Sequence, residues 1–124
     1  MFQPRQILYA GMLVLVLATN AIAQVEVNAE SKLPDWLKSK IAAMEATPKF
    51  AEATAIWKVR YKKQDVYLFL APCCDQFNSL YSAAGILLCS PSGGITGRGD
   101  GKCRDAIKPK TKYAVVWRMP EATR

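Results

Sequence analysis

Four cysteines are the residues of this chain with the clearest capacity for chemistry. All lie in the stretch 73–103, as the adjacent pair Cys73 and Cys74 followed by Cys89 and Cys103. Their spacing lacks the CxxC pairs that bring two thiolates onto one tetrahedral metal, and the chain contains no histidine to serve as another ligand. The pattern therefore favours disulfide bonds over a zinc site.

Two disulfides are predicted, and four cysteines allow three pairings. Neighbouring residues of an extended strand point to opposite faces, so Cys73 and Cys74 are expected to reach different partners. The favoured pairing joins Cys74 to Cys89 and Cys73 to Cys103, and the exchange of these partners stays open. Such bridges would supply much of the stability of a small domain.

A glycine-rich loop, residues 92–105, leads to the last cysteine and reads SGGITGRGDGKCRD. Its glycines allow backbone groups to turn toward an anion or a cation, and Asp100 would add a carboxylate for calcium. Calcium-binding nonapeptide sites need stacked copies, however, and this loop is one incomplete copy. The leading prediction is an irregular loop in which Asp100 bonds nearby amides. The candidate ligand-binding residues are Asp75, Gly97, Arg98, Asp100, Lys102 and Asp105.

Catalytic chemistry has little support in these residue types. Without histidine, a cysteine nucleophile has no imidazole base, and adjacent cysteines are not the CxxC of thioredoxin-type redox sites. The acids of the region, Asp75, Asp100 and Asp105, are each flanked by turn-forming residues, with Lys102 and Arg104 nearby. We predict a non-catalytic binding module without a cofactor. The alternatives are a small hydrolase that uses loop carboxylates and a calcium-binding domain.

The first residues predict export. Arg5 precedes an apolar run at 7–18, and Ala21 and Ala23 are small residues at the positions that a signal peptidase reads. The run is shorter than a membrane-spanning helix, so cleavage after Ala23 with no anchor left is expected. Export agrees with the disulfides, which persist in oxidising compartments, and predicts a periplasmic or secreted protein.

The predicted segments are a signal peptide at 1–23, a linker at 24–32, a single domain at 33–120 and a tail at 121–124. Loss of Arg5 with the signal peptide lowers the formal charge from +7 to +6. A basic exported domain is attracted to acidic proteins and to anionic envelope components, and these are the predicted partners of a monomer. Nucleic acid is not expected in that compartment.

A helix is predicted over residues 34–46. Pro34 suits the first helical position, and the residue before Pro48 is disfavoured in a helix. Apolar residues recur on one face at helical spacing, at Leu33, Leu37, Ile41 and Met44. We expect this amphipathic helix to lie on the sheet of its own domain.

The hydrophobic period changes to two after Ala55. Apolar and basic residues then alternate, which is typical of an antiparallel strand with one packed and one solvated face. The packed set is Trp57, Val59 and Tyr61, and the solvated set is Lys58, Arg60 and Lys62. Further strands are predicted at 66–71, 77–81, 86–89 and 113–118, with turns at 63–65 and 82–85. The predicted fold is α+β, with one N-terminal helix on an antiparallel sheet of four or five strands.

Several motifs together resemble an uncharacterised family of small exported bacterial domains, many of which are lipoproteins. The motifs are CCDQFNSLY, LLCSPSGG, TGRGDGKC and VVWR. The resemblance covers about residues 33–118 and implies the fold and export, but no activity, since none is established for the family. The chain departs from the family pattern at Ser82, where an acid is common, and in lacking a lipid-bearing cysteine.

Overall fold

The computed structural model describes residues 32–73 and 75–121, and every helix and strand in these ranges belongs to the unit Leu33–Arg124. The predicted signal peptide, most of the predicted linker and Cys74 lie outside the described residues. None of the described helices has the length and hydropathy needed to span a bilayer.

The described residues form one α-helix and one five-stranded antiparallel sheet. The elements are α1 (Asp35–Ala46), β1 (Ala55–Tyr61), β2 (Gln64–Leu70), β3 (Phe77–Tyr81), β4 (Leu87–Gly93) and β5 (Tyr113–Arg118). Short 3₁₀ turns lie at Pro48–Phe50 and Arg104–Ala106. The strand order is β4-β3-β2-β1-β5, so β4 and β5 are the two edges. The predicted α+β class is confirmed.

The helix α1 packs its apolar face on one side of the sheet, as its periodicity predicts. Leu37 and Met44 are buried in a cluster with Ile56 of β1 and with Tyr67 and Phe69 of β2. Full burial of such side chains contributes about 1.5–3 kcal/mol each to stability. Lys58, which lies on the same face farther along β1, is exposed.

Trp36 fixes the start of α1 to the turn between β3 and β4. Its indole Nε1 donates a hydrogen bond of 2.8 Å to the Ala83 carbonyl, and its ring lies 5.8 Å from that of Tyr67. Gly85, with φ of +83°, leaves room for the indole, because a Cβ atom there would lie 2.8 Å from the Trp36 ring. The helix and the turn are therefore held together by one side chain.

The opposite face of the sheet carries a second buried cluster. Its members are Val59, Val66, Leu68, Leu80, Cys89, Cys103 and Ala106. Trp57 packs beside this cluster and stacks on Tyr113 of β5, with ring centroids 4.1 Å apart. No described helix longer than one turn covers this face, so the cover comes from the segment that carries Cys103 and Ala106.

The turn between β1 and β2 differs from the predicted one at 63–65. Gln64 pairs with Tyr61, so Gln64 and Asp65 belong to β2, and the turn consists of Lys62 and Lys63. Both lysines have positive φ, 48° and 63°, as in a type I′ turn. This conformation matches the strand twist but favours asparagine and glycine. Lys62 therefore lies in the turn and is not part of the predicted solvated stripe.

Replacing the two turn lysines should stabilise the domain. A non-glycine residue in the left-handed region costs about 1–2 kcal/mol. The double variant Lys62→Asn, Lys63→Gly should therefore raise the free energy of unfolding by about 1 kcal/mol, measured by urea titration at constant m value. A midpoint that stays the same or falls would contradict the positive φ of these lysines.

Candidate functional site

A disulfide joins Cys89 of β4 to Cys103, with their Cα atoms 6.1 Å apart. The favoured pairing of Cys74 with Cys89 and Cys73 with Cys103 is therefore wrong. Cys73 lies in a bend, not in an extended strand, and β3 begins opposite Gly93, so the segment before β3 lies at the end of β4 away from Cys89. Closing a loop of this size contributes about 3 kcal/mol in the chain-entropy model.

The Asp100 carboxylate ties the glycine-rich loop to β4. One oxygen, Oδ2, accepts a 3.0 Å hydrogen bond from the Ser90 amide, and Oδ1 accepts a 2.9 Å bond from the Lys102 amide. The Asp100 amide in turn donates to the Ser90 carbonyl at 2.9 Å. The Lys102 amide is the main reason that the Asp100 pKa lies below its usual value, with the Ser90 amide adding to the effect and desolvation opposing it.

The backbone of the loop also approaches β4 too closely for any residue but glycine at position 99. The Gly99 amide donates a 3.0 Å hydrogen bond to the Gly93 carbonyl. A Cβ atom on Gly99 would lie 2.0 Å from the Ser90 carbonyl oxygen, and the φ of +69° is also in the left-handed region. The loop is therefore folded back along β4 by backbone bonds as well as by the disulfide.

The predicted ligand residues do not converge on one centre. Arg98 is exposed and Gly97 has open space around it, whereas Asp105 accepts a 3.1 Å hydrogen bond from the Tyr61 hydroxyl. Asp75 is exposed in the turn before β3, and Lys102 is exposed beside the disulfide. Within residues 32–73 and 75–121, no three acids or cysteines lie close enough to hold a metal ion together.

The two halves of the cysteine stretch meet where β3 begins. Phe77 pairs with Gly93, and the Gly94 amide donates a 2.9 Å hydrogen bond to the Gln76 carbonyl. The Phe77 ring lies against Gly94, where a Cβ atom would come within 2.6 Å of it. The start of β3 and the first turn of the glycine-rich loop therefore form one surface.

Large apolar side chains are exposed on and beside this surface. Ile95 is 94 % exposed at the tip of the loop, Phe77 is 51 % exposed, and Phe50, which lines a shallow groove together with Phe77, is 80 % exposed. We call Phe50, Phe77 and Ile95 the end patch. Sequence reasoning missed it, although Ile95 stands between glycines and Phe50 lies outside any apolar period.

A cleft of about 290 Å³ lies beside the disulfide. It is lined by Tyr61, Lys62, Gln64 and Val66 of the β1–β2 hairpin, by Leu88, by Lys102 and by the two bridged cysteines. We call it the disulfide cleft. Of its lining residues, only Lys102 and the two cysteines were predicted site residues. The others were missed because the tertiary fold, and not the local sequence, brings the β1–β2 hairpin next to the disulfide.

A family model described as Domain of unknown function (DUF6970) matches residues 42–119, which is more than half of the chain. The chain belongs to this family. The DUF6970 match includes all five strands, the glycine-rich loop and the disulfide, but it begins after Trp36. No curated protein and no solved structure matches the chain. The predicted membership of an uncharacterised family is thus confirmed at the level of the DUF6970 domain.

Replacement of Asp100 by asparagine should destabilise the domain, because a side-chain amide has only one acceptor oxygen and leaves either the Ser90 or the Lys102 amide without its acceptor. We expect the melting temperature to fall by several degrees near neutral pH, measured by circular dichroism. Asp75→Asn, at an exposed position, is the matched control and should leave the melting temperature unchanged.

The effect should also depend on pH. Since the folded-state pKa of Asp100 is lowered, its stabilising effect is present above the unfolded-state value of about 4 and is lost as the pH falls through the folded-state pKa. The difference in melting temperature between wild type and Asp100→Asn should therefore become smaller at acidic pH. A difference that is constant down to strongly acidic pH would show that the carboxylate charge is not the cause.

Proposed function

We propose that this protein is an exported, non-catalytic binding module whose partner is another protein, and that the end patch is the contact surface. The observation that carries this proposal is the exposure of three large apolar side chains. Phe50 and Phe77 line one groove, and Ile95 follows Gly94, which the Phe77 ring contacts. Single exposed apolar residues are ordinary, whereas a group of them at one end of a domain is typical of an interaction surface.

The bracing of the loop supports this role. The disulfide, the two bonds to the Asp100 carboxylate and the Gly99 amide bond hold the loop on β4. A loop that is already ordered loses less conformational entropy when it binds, so more of the contact energy appears as affinity. Ile95 stands at the tip of that loop and is the side chain most available to a partner.

The chemistry of the patch favours a protein over an anionic polymer or an ion. Aromatic and aliphatic side chains supply the desolvated anchors of protein interfaces, and exposed Arg98 adds a positive charge at the rim. Calcium at Asp100 would compete with the amides that both carboxylate oxygens already accept. A hydrolase would need acids that converge, whereas Asp100 and Asp105 bond to different parts of the fold.

A photo-crosslinking residue at position 95 tests the patch. In the cell envelope of the host, we expect irradiation to link it to one partner protein, while a crosslinker at Ile86, which is also exposed but lies in the β3–β4 turn, gives no such adduct. The partner should then bind Ile95→Asp about tenfold more weakly than wild type and bind Ile86→Asp normally. The same adducts from both positions, or none from position 95, would refute the proposal.

Export is supported by the disulfide, because such bonds persist in oxidising compartments. Since Cys89 is bonded to Cys103, a second intramolecular disulfide would have to join Cys73 to Cys74. We propose that this disulfide also forms. The two-disulfide domain would then be released by cleavage after Ala23.

Intact mass of protein from its own host tests both statements. We expect the mature chain to begin at Gln24 and to take up no alkylating agent until it is reduced, after which all four cysteines react. Alkylation of Cys73 and Cys74 alone, without reductant, would refute the second bridge. Alkylation of all four without reductant, or an uncleaved N-terminus, would refute export.

A further inference from the structure

The disulfide cleft combines buried cysteines with two lysines. Its cysteines are buried, its walls come from the β1–β2 hairpin and from the segment at Lys102, and its volume is about 290 Å³. We propose that it binds a small monocarboxylate with a short apolar chain. This inference does not rest on the proposed function, because none of the end-patch residues lines the cleft.

The rim of the cleft supplies positive charge. Lys62 and Lys102 both line the cleft, and neither forms an ion pair with any acid in the described part of the chain. The acid that does act on Lys102 is Asp100, whose carboxylate oxygens accept the amides of Ser90 and Lys102. Two lysines without salt-bridge partners in the lining of one cleft favour an anion there.

The rest of the lining supplies apolar surface and a side-chain amide. Val66 is buried, and the Leu88 side chain, 44 % exposed, forms part of the wall beside the disulfide. Gln64 adds an amide that can donate a hydrogen bond to a carboxylate oxygen. A ligand whose carboxylate contacts the lysines and whose chain lies along Leu88 would match both the charged and the apolar residues of the lining.

The volume limits the size of the ligand. Small-molecule sites usually occupy about 300–1,000 Å³, so this cleft lies at the lower limit. At about 30 Å³ for each non-hydrogen atom, the share that one molecule has in liquid water, the cleft holds about ten such atoms. Octanoate is a monocarboxylate of that size and is the probe we choose.

The side chain of Lys62 is oriented by a neighbour. Its positive φ of 48° belongs to the type I′ turn. The Lys62 Nζ atom lies 5.2 Å from the centroid of the Tyr61 ring, so a second side chain of the cleft orients it. Lys63 has the same strained conformation but does not line the cleft.

Titration of the ¹⁵N-labelled domain with octanoate tests the inference. We expect saturable amide shifts at Gln64, Leu88 and Lys102, with dissociation constants at least tenfold lower than for octan-1-ol, which lacks the charge, or for inorganic phosphate, which lacks the chain. If octan-1-ol bound as tightly as octanoate, the cleft would be a purely apolar surface. If phosphate bound as tightly as octanoate, the attraction would be purely electrostatic. Either result, or no saturation by octanoate, would overturn the proposal.

The two turn lysines supply a matched pair of variants. Lys62→Asn should make the domain more stable and yet weaken octanoate binding about tenfold, a combination that unfolding cannot produce. Lys63→Gly should also stabilise the domain but leave octanoate binding within about twofold of wild type. Equal loss of binding in both variants would show a diffuse charge effect, and retention of binding in Lys62→Asn would show that this ammonium group takes no part.

Discussion

The structure depends on the disulfide that holds the segment with Cys103 and Ala106 against the second face of the sheet. The first face is covered by α1, whose apolar face buries Leu37 and Met44. The second face presents Val59, Leu68 and Leu80 but has no long helix to cover it among the described residues. A sheet with two apolar faces needs a layer on each, so the segment that carries Cys103 and Ala106 acts as that layer although it contains only one helical turn.

The glycine-rich loop contains too few apolar residues to be held in place by hydrophobic burial alone. Between Gly93 and Lys102 the large apolar side chain is Ile95, and it points away into solvent. The loop therefore depends on specific bonds. These are the disulfide at its base, the two hydrogen bonds that the Asp100 carboxylate accepts from backbone amides, and the hydrogen bond that the Gly99 amide donates to β4. Because the polar groups are directed inward to make these bonds, the side chains at the tip of the loop are left exposed to solvent.

Where local periodicity decides the structure, the sequence was sufficient. The predicted strand Tyr113–Arg118 has the observed bounds, and α1 begins within one residue of its predicted start. The prediction of the β1–β2 turn was wrong because no local sequence signal favours positive φ at two lysines. The pairing of Tyr61 with Gln64 imposes this conformation. The predicted cysteine pairing was wrong because it required an extended strand at Cys73, and Cys73 lies in a bend. The end patch and the cleft are tertiary features that no single segment encodes.

The end patch and the disulfide cleft lie near opposite ends of β4. Leu88 and Cys89, early in the strand, line the cleft, while Gly93, at its end, pairs with Phe77 of the patch. The glycine-rich loop spans both, since Lys102 reaches the cleft and Gly94 contacts Phe77. A ligand in the cleft that contacts both Lys62 and Lys102 would bind the folded domain and not the unfolded chain, so by mass action it would stabilise the fold. Because the loop is already held by its disulfide and by the bonds of Asp100, this ligand would leave the arrangement of the end patch unchanged.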